Sequence, residues 1–329
     1  MATVYLDEQG SELKKKGELL IVEKDGSVIS ELPLAQVDRL VIVGNVQITT
    51  QALAMLFDNE IPVSFMTSYG NYRGRLKPPT HKNVMLRLKQ YERYNDHAFR
   101  LGHAKKIVAA KLKNGKTFLQ KHSRNNPEIG ISDETSAIDA LMKKIENAGS
   151  AGELMGIEGA AAREYFKAFG RLVKNEFRFE KRTKRPPTDP VNALLSFGYT
   201  MLFNELYTAL EALGFDPYLG FLHAVDYSRP SLAVDMVEEF RYLIDGLALM
   251  LINKGMLETP DFVFRDDGGV YLKEKAREVF YRQYEKRINT QVTFKGMSIT
   301  YRRVFAYQAE HLARVISGEE DGYQGYEYR

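Results

Sequence analysis

Short apolar or alternating runs, punctuated by turn residues, fill the first 78 positions, and a helical rhythm takes over after them. The runs Thr3-Val4-Tyr5-Leu6, Leu19-Leu20-Ile21-Val22, Ser27-Val28-Ile29, Leu40-Val41-Ile42-Val43 and Ile61-Pro62-Val63-Ser64-Phe65 read as strands, with Asp25-Gly26 as a hairpin turn. One helix, about Thr50 to Asn59, interrupts them. Lys77-Pro78-Pro79-Thr80 breaks the pattern. Helical periodicity then predicts elements at about 82–121, 132–148, 158–181, 190–213, 231–253, 272–287 and 301–316. The expected fold class is α+β: a small β-sandwich-like domain over 1–78, then a larger all-α domain over 79–329.

Two segments stand outside this rhythm. Lys184-Arg185-Pro186-Pro187-Thr188-Asp189-Pro190 is a stiff linker in which Thr188 or Asp189 is placed to cap the helix starting near Pro190. The tail 318–329 has no aliphatic side chain and is expected to be mobile.

On the helix after Pro230, Leu232, Met236, Val237, Phe240, Leu243, Ile244 and Leu247 form an apolar stripe that marks the core face. Asp235 and Glu238, three residues apart, leave one side of that helix together. Glu239, rotated about 100° further, is left to pair with solvent or Arg241. Upstream, His223 sits in an apolar context beside Gly220. Glu158 is flanked by Gly156, Gly159 and alanines, a surface with room for a backbone or a nucleotide strand. An imidazole and several carboxylates on an apolar background suit a divalent-metal site and phosphodiester chemistry. The alternatives are a core histidine, a carboxylate near a helix start at Glu158, and an ordinary amphipathic surface helix.

Composition narrows the chemistry. The chain has 329 residues, is 44% hydrophobic and has no cysteine, so thiolate catalysis, disulfides and cysteine-bound zinc are excluded. Carboxylates and imidazoles remain as ligands, which favours magnesium or manganese. No window approaches the roughly 20 apolar residues of a membrane span, and the N-terminus lacks a signal-like segment, so a cytoplasmic protein is expected. The net charge of +3 is weak, but between Arg171 and Arg185 seven basic residues stand against Glu176 and Glu180. That density fits either a phosphate backbone or a solvated helix end with i,i+4 ion pairs. Loops for nucleotide triphosphates, His-Glu-x-x-His zinc pairs and Gly-x-Ser-x-Gly elbows are absent from the sequence.

Four blocks occur in order: Gly156-Ile157-Glu158-Gly159 with Ala161-Ala162 and Tyr165-Phe166; Asn192-Ala193-Leu194-Leu195-Ser196-Phe197-Gly198-Tyr199; Gly220 with His223; and Ser231-Leu232-Ala233 with Asp235 and Glu238-Glu239-Phe240-Arg241. In them, and in its domain order, the chain resembles the CRISPR-associated integrases of spacer acquisition, the "Cas-one" family. The resemblance implies a metal-dependent DNA integrase and endonuclease, using magnesium or manganese, that works as a homodimer with a small "Cas-two" partner. It implies Glu158, His223 and Glu238 as catalytic metal ligands, with Asp235 as a nearby second carboxylate. It also implies homodimer contacts through the β domain. DNA contacts are expected from a subset of Arg163, Arg171, Lys174, Arg178, Lys181, Arg182, Lys184 and Arg185, with Tyr165 either stacking on a DNA end or filling the core. A hydrolytic structure-selective nuclease and a non-enzymatic DNA-binding scaffold are the competing readings.

Overall fold

The structure, a computed structural model, describes residues 2–77, 83–124, 126, 128–227 and 229–328. The chain divides into two compact units, Met1–Thr80 and His81–Arg329. The boundary expected after residue 78 falls outside the described residues.

The first unit contains β1 (Ala2–Leu6), β2 (Glu12–Lys16), β3 (Leu19–Lys24), β4 (Ser27–Pro33), β5 (Val37–Val43), β6 (Gln47–Ile48), α1 (Thr50–Asp58), β7 (Val63–Met66) and β8 (Tyr72–Leu76). They form two four-stranded sheets, ordered β1-β5-β7-β8 and β4-β3-β2-β6. Leu13, Leu20 and Val22 of one sheet share a core with Leu40, Ile42 and Val63 of the other, together with Met55 and Leu56 of α1. Asp25 and Gly26 both take positive φ, as a two-residue turn between twisted strands requires. The sequence pattern misses β2 because Glu12-Leu13-Lys14-Lys15-Lys16 buries only Leu13; pairing with β3, not hydrophobic alternation, makes it a strand. At the free edge of its sheet, β4 exposes Val28 and Ile29, each 49% accessible.

The second unit contains α2 (Val84–Asn95), α3 (His97–Arg124), α4 (Ser132–Met142), α5 (Ala151–Leu172), α6 (Pro190–Leu213), α7 (Ser231–Val237), α8 (Arg241–Asn253), β9 (Phe262–Phe264), β10 (Val270–Leu272), α9 (Glu274–Ile288), β11 (Gln291–Phe294), β12 (Met297–Thr300) and α10 (Tyr301–Ser317). It is mostly helical, with hairpins β9–β10 and β11–β12 that the sequence reading did not anticipate. The apolar α6, capped by Asp189, packs against α7, α8 and α10. Gly198 makes the α6–α8 approach possible: a Cβ there would lie 2.4 Å from Ile244 Cγ2. Among the described residues no helix is long and apolar enough to cross a membrane.

Several expected boundaries move, each for a local reason. The helix expected over 82–121 is two helices, broken at Asp96, whose carboxylate accepts from the Phe99 amide and starts α3. The helix expected over 158–181 runs over Ala151–Leu172 instead: Ser150 caps it, and the chain turns extended at Val173. Glu158 is therefore in mid-helix, not near a helix start. The helix expected over 231–253 breaks into α7 and α8, with the Glu238 and Phe240 amides bonding three residues back, to Asp235 and Val237. The break sends neighbouring carboxylates to different partners.

The tail expected to be mobile is docked over its described residues, 318–328. Tyr323 and Tyr326 are each 5% exposed. The Tyr323 hydroxyl donates to Glu239 Oε1 at 2.5 Å and the Tyr326 amide to Glu239 Oε2 at 2.8 Å. Asn114 bonds the Tyr326 carbonyl and accepts from the Tyr328 amide, and the Tyr328 ring stacks on Tyr242 at 4.2 Å. Composition misled here because tyrosines supply the buried surface that missing aliphatics would have supplied, and a buried carboxylate supplies the anchor. Glu239 accordingly faces the tail, and neither solvent nor Arg241.

A second buried carboxylate, Asp245 of α8, accepts from the hydroxyls of Tyr165 on α5 and Tyr199 on α6. Burial pushes it up to about 6, against the pull of the two hydroxyls and of Arg241 and Arg182.

Deleting residues 319–329 leaves Glu239 and Asn114 short of partners and should cost about 3–5 kcal/mol in urea unfolding. A midpoint within error of the full chain would return the tail to a frayed end. Because Asp245 holds its proton to higher pH folded than unfolded, its contribution is present below its ordinary value of 3.8 and lost as pH rises to about 6. Asp245→Asn should remove a fall of about 3 kcal/mol in stability over that window, read by unfolding at stepped pH. An equal slope in both proteins would contradict this.

Candidate metal and DNA site

Four elements of the helical unit bring the site together. Glu158 comes from the middle of α5, Lys111 from α3, Glu238 from the α7–α8 break, and His223 from the loop before α7. The open face expected beside Glu158 is present, since a Cβ at Gly156 or Gly159 would meet nothing within 4 Å.

One ammonium joins the two glutamates. Lys111 Nζ bonds Glu158 Oε1 and lies 2.5 Å from Glu238 Oε2. Glu238 also receives a two-pronged bond from Arg241, Nε to Oε2 at 2.6 Å and Nη2 to Oε1 at 2.7 Å. Arg241 lies 4.5 Å over the Tyr199 ring. Burial alone would raise the Glu238 carboxyl, but the Arg241 guanidinium and then the Lys111 ammonium hold it well below the usual carboxylate range.

Asp235 has a different task from Glu238. It is fully buried. Its Oδ2 accepts from the Phe221 and Leu222 amides at 2.7 and 2.9 Å, and its Oδ1 from the His223 amide at 3.0 Å. The His223 Nδ1–H donates to Oδ1 at 2.7 Å, an assignment that follows because a carboxylate only accepts. In the neutral imidazole, Nε2 then carries the lone pair. Gly220 makes the approach possible, because a Cβ there would lie 2.9 Å from Asp235 Oδ2 and 2.6 Å from the Ser231 carbonyl carbon. Asp235 thus sits beneath the loop, and the expectation that it leaves the helix beside Glu238 is corrected.

Glu158, His223 and Glu238 line one cavity of ≈ 710 Å³, with Arg163, Tyr165, Lys181, Arg182 and Lys184 from the expected DNA-contact set. Eight basic side chains against four carboxylates line it, so the cavity as a whole favours an anionic ligand. Asp235, Arg171, Lys174, Arg178 and Arg185 are not in its lining. Arg171 pairs with Glu134, and Lys174 bonds Asn126. Arg182 bonds Asn192 Oδ1 and Ser196 Oγ, both at 2.8 Å, which fastens the segment before the linker to α6. Tyr165 is half-buried, its hydroxyl committed to Asp245.

Sequence reasoning missed Lys111, Arg229, Tyr199 and Asp245 as members of this cavity. Lys111 is one of many lysines on a charged helix, and nothing in its spacing sets it apart. Arg241 follows Glu238 at i+3, a spacing that does announce a pair. Among the described residues no three His, Cys, Asp or Glu side chains stand close enough, as placed, to hold a metal ion. The two glutamates nevertheless reach one shared cationic point, now held by Lys111. A carboxylate pair that already meets a cation, with an imidazole on the same cavity, fits a divalent ion.

Comparison with known proteins completes the assignment. A Cas4/Cas1 exonuclease–endonuclease fusion of Geobacter sulfurreducens is 38% identical over 98% of this chain, which spans only 60% of that fusion's length. A CRISPR-associated endonuclease Cas1 of Thermodesulfovibrio yellowstonii is 36% identical over 98% of this chain and 99% of its own. Among solved structures, a casposase bound to integration product superposes with a TM-score of 0.89 at 26% identity, covering 99% of this chain and 95% of that one. A Cas6-RT-Cas1–Cas2 complex gives 0.86 at 26% identity, covering 100% of this chain and 36% of that one. The family model described as CRISPR associated protein Cas1 matches residues 4–286, and with these relatives it establishes that the chain belongs to the Cas1 family.

Proposed function

We propose that this chain is a divalent-metal-dependent DNA integrase and endonuclease of CRISPR adaptation, joining the 3′-hydroxyl ends of short captured DNA to a repeat array. The observation that carries the reading is the meeting of Glu158 and Glu238, from separate elements, at one cationic point in a basic cavity beside His223. Glu158, Glu238 and His223 Nε2 are the donors that would hold magnesium or manganese. The bound ion would lower the pKa of the attacking hydroxyl and neutralise charge developing on the transferred phosphate.

The protein's own groups prepare that exchange. Asp235 acts as a positioning residue, keeping the His223 proton on Nδ1 and the loop in place, and we do not assign it as a ligand. Arg241 keeps Glu238 ionised at any working pH. Lys181, Lys184, Arg163 and Arg229 hold phosphates without reading sequence. Tyr165, tethered to Asp245, forms part of the wall. Exchanging one phosphodiester for another is nearly thermoneutral, so no nucleotide-triphosphate loop is required.

The solved neighbours support the rest: a casposase on its integration product for strand joining, and a complex containing Cas2 for a small partner protein. The exposed Val28 and Ile29 on the free edge of β4 suit homodimer formation through the β unit. We place the protein in the cytoplasm, where such DNA is found.

With a 3′-hydroxyl duplex, a supercoiled plasmid carrying a repeat array, Cas2 and manganese, the native protein should yield joined products, and Glu238→Ala should reduce them by about 100-fold or more. Cleavage without joining would favour the hydrolytic nuclease, and metal-independent behaviour the scaffold. Neutralising Lys181, Lys184 and Arg229 should lower the slope of log affinity against log salt by about 2, whereas neutralising Arg171, Lys174 and Arg178 should change it by less than about 1. Equal slope changes in the two triple variants would remove the cavity from the DNA path.

A further inference from the structure

We propose that Lys111 is a built-in placeholder for the catalytic cation, and that its displacement couples metal loading to the binding of a DNA phosphate. The inference rests on the metal-site reading above. Lys111 Nζ occupies the one point at which Glu158 Oε1 and Glu238 Oε2 meet a common partner, and the Glu238 side chain is only 3% exposed. Two carboxylates and two cations, Lys111 and Arg241, balance in this state. A dication arriving at the same oxygens would set four positive charges against two negative ones, so one resident cation must leave.

Geometry decides which one leaves. Arg241 uses a rigid two-pronged fork on both oxygens of Glu238 and lies over the Tyr199 ring. Lys111 offers a single ammonium on a flexible four-carbon stem reaching across from another helix, and it is the mobile member. Once released it faces a cavity whose charged lining is predominantly cationic, with Arg163, Lys181, Lys184 and Arg229 among its side chains. The cationic excess disfavours it there until a phosphodiester enters. The phosphate gives the displaced ammonium a partner, so metal and phosphate each make the other's binding easier, by one and the same factor. Lys111 in this role is a positioning residue: in the absence of DNA it keeps the glutamates together while opposing the metal.

The test measures free Mn2+ by electron paramagnetic resonance with the full chain, alone and with a short duplex ending in 3′-dideoxynucleotides, after subtraction of Mn2+ bound by the duplex. The native protein should bind Mn2+ about tenfold more tightly when the duplex is present. Lys111→Gln should bind it about tenfold more tightly than native protein without DNA, and gain little from the duplex. Unchanged or weaker Mn2+ binding by a folded Lys111→Gln, with the duplex effect intact, would overturn the proposal. Should that variant fail to fold, the native protein alone decides, because its duplex affinity must rise with Mn2+ by the same factor as its Mn2+ affinity rises with duplex. Absence of both effects overturns the placeholder role. Glu158→Ala separates the two levels: if it binds Mn2+ as native protein does, the metal-site reading itself fails, whereas loss of binding in Glu158→Ala with native behaviour in Lys111→Gln defeats the placeholder alone.

Discussion

Four buried carboxylates within eleven residues govern the helical unit. Asp235, Glu238, Glu239 and Asp245 are all at most 3% exposed, and a carboxylate that deep is tolerated only if charge or hydrogen bonds meet it. Each takes partners from a different direction. Asp235 takes the backbone of the 221–223 loop, Glu238 takes Lys111 and Arg241, Glu239 takes the C-terminal tail, and Asp245 takes tyrosines from α5 and α6. An unbroken helix over this stretch could not serve four directions at once. The turn between α7 and α8 is the geometric answer, and it places Glu238 at the cavity and Glu239 away from it.

The same arrangement explains why structure and function are hard to separate in this segment. Loop, tail and two long helices are fastened to the strip of chain that presents Glu238, so distant elements fix the position of one cavity carboxylate. Satisfying a buried charge costs a hydrogen-bond partner elsewhere, and each partner recruited here also orders a segment: His223 with its loop, Tyr323 and Tyr326 with the tail. A carboxylate held only by solvent would leave its neighbours free to drift by more than a metal ligand tolerates.

Much of this was legible in the sequence, and the misses share a cause. Hydrophobic runs located the strands β1, β3, β5 and β7, and Asp189 before Pro190 located the start of α6. Glu158, His223 and Glu238, singled out by their context, do line one cavity. What periodicity could not show is tertiary pairing. The stripe through Leu232, Met236, Val237, Phe240 and Leu243 is compatible with one continuous helix, and only the partners of Glu238 and Glu239 break it. The tail looked mobile for the same reason, since its anchor lies 84 positions away in sequence. The basic run from Arg171 to Arg185 was read as one surface but splits, because Val173 ends the helix and Arg182 turns inward to Asn192 and Ser196.

The identity of residue 111 follows from the same physics. On the proposed metal-site reading, two carboxylates that accept a cation need a companion in its absence, because an uncompensated pair with one member buried would repel and drift apart. An arginine in that place would grip with a second fork and, like Arg241, yield slowly. An apolar residue would leave the charges unmet. Lysine meets both demands: a full positive charge, carried at the end of a stem long and soft enough to withdraw. The neighbouring Arg241 can be permanent because Glu238 has two oxygens and needs one counter-charge that never leaves. On that reading, one permanent and one removable cation on the same carboxylate would reconcile a stable folded site with one that can still be loaded.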